Sequence, residues 1–219
     1  MPKGSVELTN ARREEIVDAS AELYRTRPFR EITIKEIGEK TSVTRTSIYN
    51  YFQTKEEIFL ALLQREYQAW GDELDALPPG PMSAGQLADA LARTLERRTC
   101  MLKLMAMNLY DIETNSRLEN LAAFKRVYAR SMQAVCRCLE RCRPGLPEEE
   151  QQRFLYAFFP FLFGVYPYTT ATEKQKQAMA LAHVEAPRLS VYELICGFVR
   201  RLLQGRRRGP WPPAGLPRH

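Results

Sequence analysis

Seven of the eight residues in Thr44-Arg45-Thr46-Ser47-Ile48-Tyr49-Asn50-Tyr51 have side chains that donate or accept hydrogen bonds, and only one is charged. A surface this rich in donors and acceptors, at low net charge, suits base edges and phosphate oxygens. On a short helix, Arg45, Thr46, Ser47, Tyr49, Asn50 and Tyr51 face outward, while Ile48 joins Ile34, Ile37, Val43 and Phe52 in a shared core. Plainer readings stand beside this one. Phe52 reads as a core aromatic, Tyr51 equally as core or contact residue, and Arg45 as a contact or a solvated charge. No comparable cluster points to catalysis. The chain has two histidines, His183 and His219, and no Gly-x-Gly-x-x-Gly, Walker, His-Glu-x-x-His or Gly-x-Ser-x-Gly pattern.

Such a helix needs neighbours to hold it outward. The first sixty residues read as four helices. The first starts near Thr9 or Asn10, either of which can cap, and carries Ile16, Ser20, Leu23 and Tyr24 at helical spacing until Pro28 ends it. Thr33-Ile34-Lys35-Glu36 fits a capping box that opens a short helix to about Lys40. A turn at Thr41–Val43 then leads into a helix from Thr44 to about Tyr51. Two short helices joined this tightly predict a helix-turn-helix, whose second helix enters the major groove by its N-terminal end. Thr54-Lys55-Glu56-Glu57 fits a second capping box, starting a long helix with Ile58, Phe59, Leu62, Leu63 and Tyr67 inward.

Pro78-Pro79-Gly80-Pro81 breaks the chain, and Ser83 can cap the next helix. One long, kinked helix is expected from Leu87 through Tyr110, another over Arg117–Arg141, and a third from Glu148 to about Tyr166, with 167–187 mostly loop. Ser190-Val191-Tyr192-Glu193 caps a last helix, for which Gly205 is a natural stop. No segment alternates as a strand does. The fold class is therefore all-α: an N-terminal three-helix helix-turn-helix domain over 1–60, a larger helical domain for ligand binding and dimerisation over 61–205, and a basic Pro-rich tail over 206–219, expected to be disordered.

The segment Thr33 to Leu63 closely resembles the DNA-binding end of the TetR (tetracycline-repressor) family of bacterial regulators. The likeness is carried by Thr33-Ile34 with Ile37, by Val43 through Phe52, and by Lys55-Glu56-Glu57-Ile58-Phe59-Leu60. It implies a sequence-specific DNA-binding regulator, a repressor released from a palindromic operator by a small-molecule inducer. It also implies contacts: Thr33 accepts a phosphate, Lys55 clamps another at a helix start, and Arg45, Thr46, Ser47 and Asn50 face base edges or nearby phosphates. Thr44 is grouped with them, and Tyr49 and Tyr51 touch backbone and methyl groups. Lys55 also reads as an ordinary helix-start lysine. Two departures bear on the operator more than on the fold: Ser42 stands where the turn often has Gly, and Thr46 where a small residue is common. The rival reading is a helical interaction protein with a degenerate DNA site.

One helix-turn-helix reads one half-site, so a homodimer is expected. The resemblance places its interface on the last two long helices, with Phe154, Phe158, Leu194, Ile195, Phe198 and Leu202 as candidates; ordinary core packing is the alternative. Met101, Met105, Asn108, Tyr128, Phe158 and Phe161 are candidates to line a pocket for an apolar or amphipathic inducer, since methionine adapts to varied ligands. Core packing explains such a stripe as well. No cofactor and no metal site are expected. Cys138 and Cys142 share a helix face but Cys136 does not, so three thiolates do not converge.

The formal net charge of +6 does not mark a DNA-binding surface. Arg200, Arg201, Arg206, Arg207, Arg208 and Arg218 lie in the last twenty residues, which hold no acid, and the remainder is balanced. Five cysteines, an odd number, and an N-terminus without an apolar h-region favour the cytoplasm. The uncharged run Phe154–Thr172 approaches membrane-spanning length, but Pro160, Gly164 and Pro167 interrupt it, and a core helix followed by a loop is expected.

Overall fold

The computed structural model describes residues 3–107, 109–185 and 189–204, and every regular element among them is helical. In chain order these are α1 (Lys3–Thr26), a 3-10 turn (Phe29–Glu31), α2 (Ile34–Glu39), α3 (Arg45–Ile48), α4 (Lys55–Asp75), α5 (Ala84–Glu96), α6 (Thr99–Met105), α7 (Leu109–Thr114), α8 (Leu118–Cys142), α9 (Glu148–Thr169), α10 (Glu173–Leu181) and α11 (Val191–Gln204). They form two compact units. The first takes the chain up to residue 69 together with 107–130, and the second takes 70–106 with the chain from 131 onward.

In the first unit the core collects Ile16, Val17 and Tyr24 of α1, Ile37 of α2, Ile48 of α3, Ile58, Phe59, Leu62 and Tyr67 of α4, and Phe124 of α8, all buried. Tyr24 and Phe29 meet the Phe59 ring edge-on, with centroids 5.2 and 4.8 Å away. The α2 capping box forms in full: the Thr33 hydroxyl accepts the Glu36 N–H, and the Glu36 carboxylate accepts the Thr33 N–H at 2.9 Å. Helix α1 begins at Lys3, ahead of the expected start near Thr9. A good capping residue permits a helix to start there but does not stop one, and each added residue gains a hydrogen bond once a nucleus exists.

The second unit corrects the expected single helix over 87–110. Leu87, Ala88, Leu91, Ala92 and Leu95 form the buried stripe of α5. Continued at helical spacing, that stripe would carry Arg98 and Thr99 into the core. The chain instead leaves helical geometry at Arg98 (φ −111°, ψ 46°) and restarts, so that Met101, Leu102, Leu104 and Met105 turn inward on α6. Arg97 and Arg98 both pair with Glu73 across the break. Ser83 does cap α5, and Gln86 completes a capping box there. The Ser190 box on α11 forms as expected, with Glu193 Oε2 2.8 Å from the Ser190 N–H.

Helix α9 runs on to Thr169, through the residues expected to end it. Pro160, Gly164 and Pro167 lie at i, i+4 and i+7, on one face of the helix, and both prolines are exposed. The carbonyls these prolines leave without a helical donor belong to exposed Tyr156 and half-buried Phe163, not to core residues. No helix among the described residues is long and apolar enough to cross a membrane. Gly205 and the tail over 206–219 lie outside the described residues.

The buried Trp70 indole N–H donates to Thr94 Oγ1 at 3.1 Å, inside a cage of Phe158 and Phe159. Thr94→Val keeps the shape but removes the acceptor, and should cost about 1–3 kcal/mol in denaturant unfolding. Thr94→Ser, which keeps the hydroxyl, should lose less.

Candidate nucleic-acid interface

Helix α3 is built by its own N-terminus. Thr44 adopts an extended conformation, and its hydroxyl oxygen accepts the Ser47 N–H at 3.2 Å while donating to Ser47 Oγ at 2.9 Å. The regular helix ends at Ile48, three residues short of the expected Tyr51. The chain continues through tighter turns, with the Asn50 N–H donating to the Ser47 carbonyl and the Tyr51 N–H to the Ile48 carbonyl. Thr44, Arg45, Thr46, Tyr49 and Asn50 are exposed, Ser47 and Tyr51 are half-buried, and Ile48 and Phe52 are buried. Tyr49 is 45% exposed, which settles its direction as outward. Arg45 has no ion-pair partner among the described residues. Arg12, Arg27 and Lys40 of the same unit are, by contrast, engaged by Glu15, Glu36 and Glu22.

Both ends of this short polar element are tied down. At the leading turn, the Ser42 N–H and hydroxyl donate to the Glu15 carboxylate of α1, and Arg12 also reaches Ser42 Oγ. The Ser42 backbone amide, followed by its hydroxyl, holds the Glu15 carboxyl below its usual pKa. Ser42 does not adopt the left-handed conformation that a glycine there would allow; His183 is the one non-glycine residue with positive φ among those described. An acid on the neighbouring helix does the work that conformational freedom would otherwise do.

The trailing end is held more firmly. The Tyr51 carbonyl accepts from Arg13 Nη1 at 2.9 Å, and that guanidinium lies 4.4 Å over the Phe52 ring. The Glu57 carboxylate accepts four hydrogen bonds: from the Gln53 N–H at 2.8 Å, the Arg117 N–H at 2.9 Å, Arg117 Nε at 2.7 Å and Arg117 Nη2 at 2.9 Å. Its side chain is 0% exposed. Burial by itself would raise the Glu57 pKa, but the Arg117 side chain and backbone and the Gln53 amide outweigh it and hold the carboxyl down at about 2.

The expected Thr54 capping box is accordingly only half made. Thr54 Oγ1 accepts the Glu57 N–H, but the Glu57 carboxylate turns to Gln53 and Arg117, and the Thr54 hydroxyl donates to the Asn115 carbonyl. The sequence marks neither Glu57 nor Arg117 as a site residue. Glu57 stands out only in that box and in the segment that resembles the family, neither of which assigns it this role, and the partner lies sixty residues further along the chain.

Two expected phosphate ligands are placed differently from the rest. The amide and hydroxyl of Thr33 both donate to Glu36 Oε2. Arg27, with Thr33, keeps that carboxyl ionised down to about 2. Thr33 thus spends both of its donors on Glu36, and a phosphate there has to displace that carboxylate. Lys55 Nζ donates to the carbonyls of Phe29 and Ile32 at 2.9 and 2.8 Å and sits 4.1 Å over the Phe29 ring. Burial lowers its pKa, against Glu56 and Glu36. Lys55 therefore joins α4 to the turn before α2, with one N–H left over.

The candidates in the larger half separate by burial. Phe154, Phe158 and Ile195 are 4%, 0% and 0% exposed. Packed inside the protomer, they are withdrawn from any surface a second copy meets, which corrects their reading as interface residues. Leu194, Phe198 and Leu202 remain half-exposed. Met101, Met105 and Phe158 are core residues of the second unit, and half-buried Phe161 stacks on Phe198 with centroids 3.8 Å apart. Tyr128 belongs to the first unit, against Tyr67 and Phe124. Asn108 lies outside the described residues. The five cysteines are free thiols, and no group of three metal-ligating side chains converges among the described residues.

An outward polar helix, capped at its start, packed on a second short helix and pinned at both ends, defines a helix-turn-helix DNA-binding protein. Residues 16–62 match the family model for bacterial regulatory proteins of the tetR family, and residues 64–210 match that for the tetracyclin repressor-like C-terminal domain. The chain belongs to the TetR family and is a transcriptional regulator rather than an enzyme. Solved structures share the fold. A TetR regulator from Rhodococcus sp. RHA1 aligns with a TM-score of 0.57 at 17% identity, over 89% of this chain and 94% of that one. A TetR/AcrR-family regulator from Thermobifida fusca gives 0.55 at 21%, over 90% and 100%. FadR from Bacillus subtilis, solved with stearoyl-CoA, gives 0.54 at 13%, over 89% and 99%. No curated protein sequence matches this chain.

Proposed function

We propose that this protein acts in the cytoplasm as a homodimeric repressor, with one α3 in each half of a two-fold operator, and that an apolar or amphipathic small molecule releases it. The observation that carries this reading is the surface from Thr44 to Asn50: exposed, hydrogen-bonding, bearing one unpaired guanidinium, and anchored at both ends. Arg45, Thr46, Ser47 and Asn50 face base edges and adjacent phosphates, with Thr44 beside them. Tyr49 packs on sugar and methyl groups. Tyr51 contributes through its backbone position, and the remaining Lys55 N–H reaches a phosphate. Leu194, Phe198 and Leu202 form the dimer contact on α11.

We place the inducer among Met101, Met105, Phe158 and Phe161. Met101, Met105 and Phe158 are buried, so a ligand enters by displacing flexible methionines. Acyl thioesters are the first class to test, because a fold relative was solved with one. Release requires a coupling of about 1–3 kcal/mol between ligand and DNA.

Footprinting across the DNA upstream of its own gene tests the reading. A protected pseudo-palindrome that survives non-specific competitor and weakens with salt is expected. Protection that disappears under competitor would favour the interaction-protein alternative.

A further inference from the structure

Helix α10 is the one α-helix among the described residues with no buried residue, and none of residues 170–185 is buried. It is nevertheless a built element. Thr172 and Gln175 close a full capping box at its start, and Lys176 pairs with Glu173 at 2.7 Å. Nine residues are too few to hold a helix in water by local interactions alone. Its second half, Ala178-Met179-Ala180-Leu181, and Ala182 just after it are apolar, and Leu181 and Val184 are 83% and 57% exposed. Met179 is half-buried, but a capped helix that leaves Leu181 and Val184 this far exposed has apolar surface to cover with something else.

We propose that Thr170–Glu185 is an arm that packs Leu181 and Val184 against the α9–α11 face of a second copy of this chain. The proposal rests on the homodimer reading above and names a contact beyond it. Three observations select a second copy over other partners. The arm leaves from the end of α9 and returns to α11, so it is continuous with the helices that form the dimer contact. Next to that contact, where the arm joins them, those helices also present half-exposed Phe163, Tyr166 and Val191, an apolar surface suited to receive it. Glu173, Lys174, Lys176 and Glu185 balance, so charge neither repels an identical copy nor draws the arm to nucleic acid. Two-fold symmetry forms the contact twice, each arm on the other subunit.

The test uses the full chain. Leu181→Ser combined with Val184→Ser alters only exposed side chains, so helical content by circular dichroism should stay unchanged. The dimer dissociation constant, from sedimentation equilibrium, should rise by about tenfold or more. In a second measurement, a photo-reactive phenylalanine analogue at position 181 is irradiated in a mixture of tagged and untagged chains. Cross-links from one chain to α9 or α11 of the other are expected. A dissociation constant within twofold of the unaltered protein would overturn the proposal. So would cross-links confined to one chain, or cross-links between chains that map elsewhere. The two readings fail separately. A dimer that depends on the arm but protects no DNA removes the operator reading alone, and an operator-bound dimer indifferent to both substitutions removes the arm alone.

Discussion

Arg117→Ala should lower the unfolding free energy by about 3 kcal/mol at neutral pH, near the low end for orphaning one member of a buried ion pair. The low end applies because Arg117 itself is 39% exposed, whereas the Glu57 side chain is 0% exposed and stays behind. Two of its four donors vanish with the guanidinium, leaving the backbone amides of Gln53 and residue 117. The pH dependence identifies the cause. In the unaltered protein the Glu57 pKa is depressed from the usual 4.5 to about 2. Its contribution is therefore fully present above pH 4.5 and is lost as the pH falls toward 2. Without Arg117, burial raises the folded value toward or past 4.5, and that contribution shrinks or reverses. The difference between the two proteins in denaturant unfolding should be largest near pH 7 and should narrow below pH 4.5. A difference that stays constant from pH 7 to pH 3 would show that the ion pair is not responsible. Glu57→Gln should cost less, since the freed guanidinium can reach water.

The same pair explains why part of the site is legible in the sequence and part is not. Local devices announce themselves: the Thr33, Thr44, Ser83 and Ser190 caps each need only a side chain and an amide three residues on. The outward set on α3 follows from helical spacing around Ile48. Glu57, by contrast, satisfies the local rule for a capping box and then breaks it, because a guanidinium from the start of α8 offers its carboxylate more than the Thr54 amide does. Nothing near position 57 reports that. Lys55 shows the same limit. Its charge at a helix start reads as a phosphate clamp, yet two of its three donors hold the Phe29 and Ile32 carbonyls. Lys55→Ala should therefore lower stability as well as DNA affinity. The break at Arg98 is legible in principle, since the apolar stripe changes phase between Leu95 and Met101. The prolines of α9 mislead for the opposite reason: a proline ends a helix only where its lost hydrogen bond cannot be made up, and these face outward.

The largest functional loss is expected from Arg45→Ala. Arg45 is the first residue of α3, the end that enters the groove, and its guanidinium is exposed with no ion-pair partner among the described residues. Removing its side chain breaks no hydrogen bond or ion pair among the described residues. A bidentate base contact is worth about 1–3 kcal/mol, and a two-fold operator contains it twice. Even a loss of about 1.4 kcal/mol per half-site compounds to about a hundredfold in operator affinity. A salt titration separates the two ways Arg45 can act. Loss of a phosphate contact lowers the slope of log affinity against log salt by about one per half-site and weakens all sequences alike. Loss of a base contact leaves the slope in place and relaxes preference at one symmetric pair of positions. Tyr49→Ala should act in the same direction with little effect on the unfolding midpoint, because the residue is 45% exposed. Ile48→Ala, one residue away at 0% exposure, should instead cost about 2–5 kcal/mol of stability. The contrast between adjacent positions is the decisive measurement. If Arg45→Ala and Tyr49→Ala bound the operator like the parent protein while Ile48→Ala destabilised the fold, α3 would be a structural helix whose outward face reads nothing.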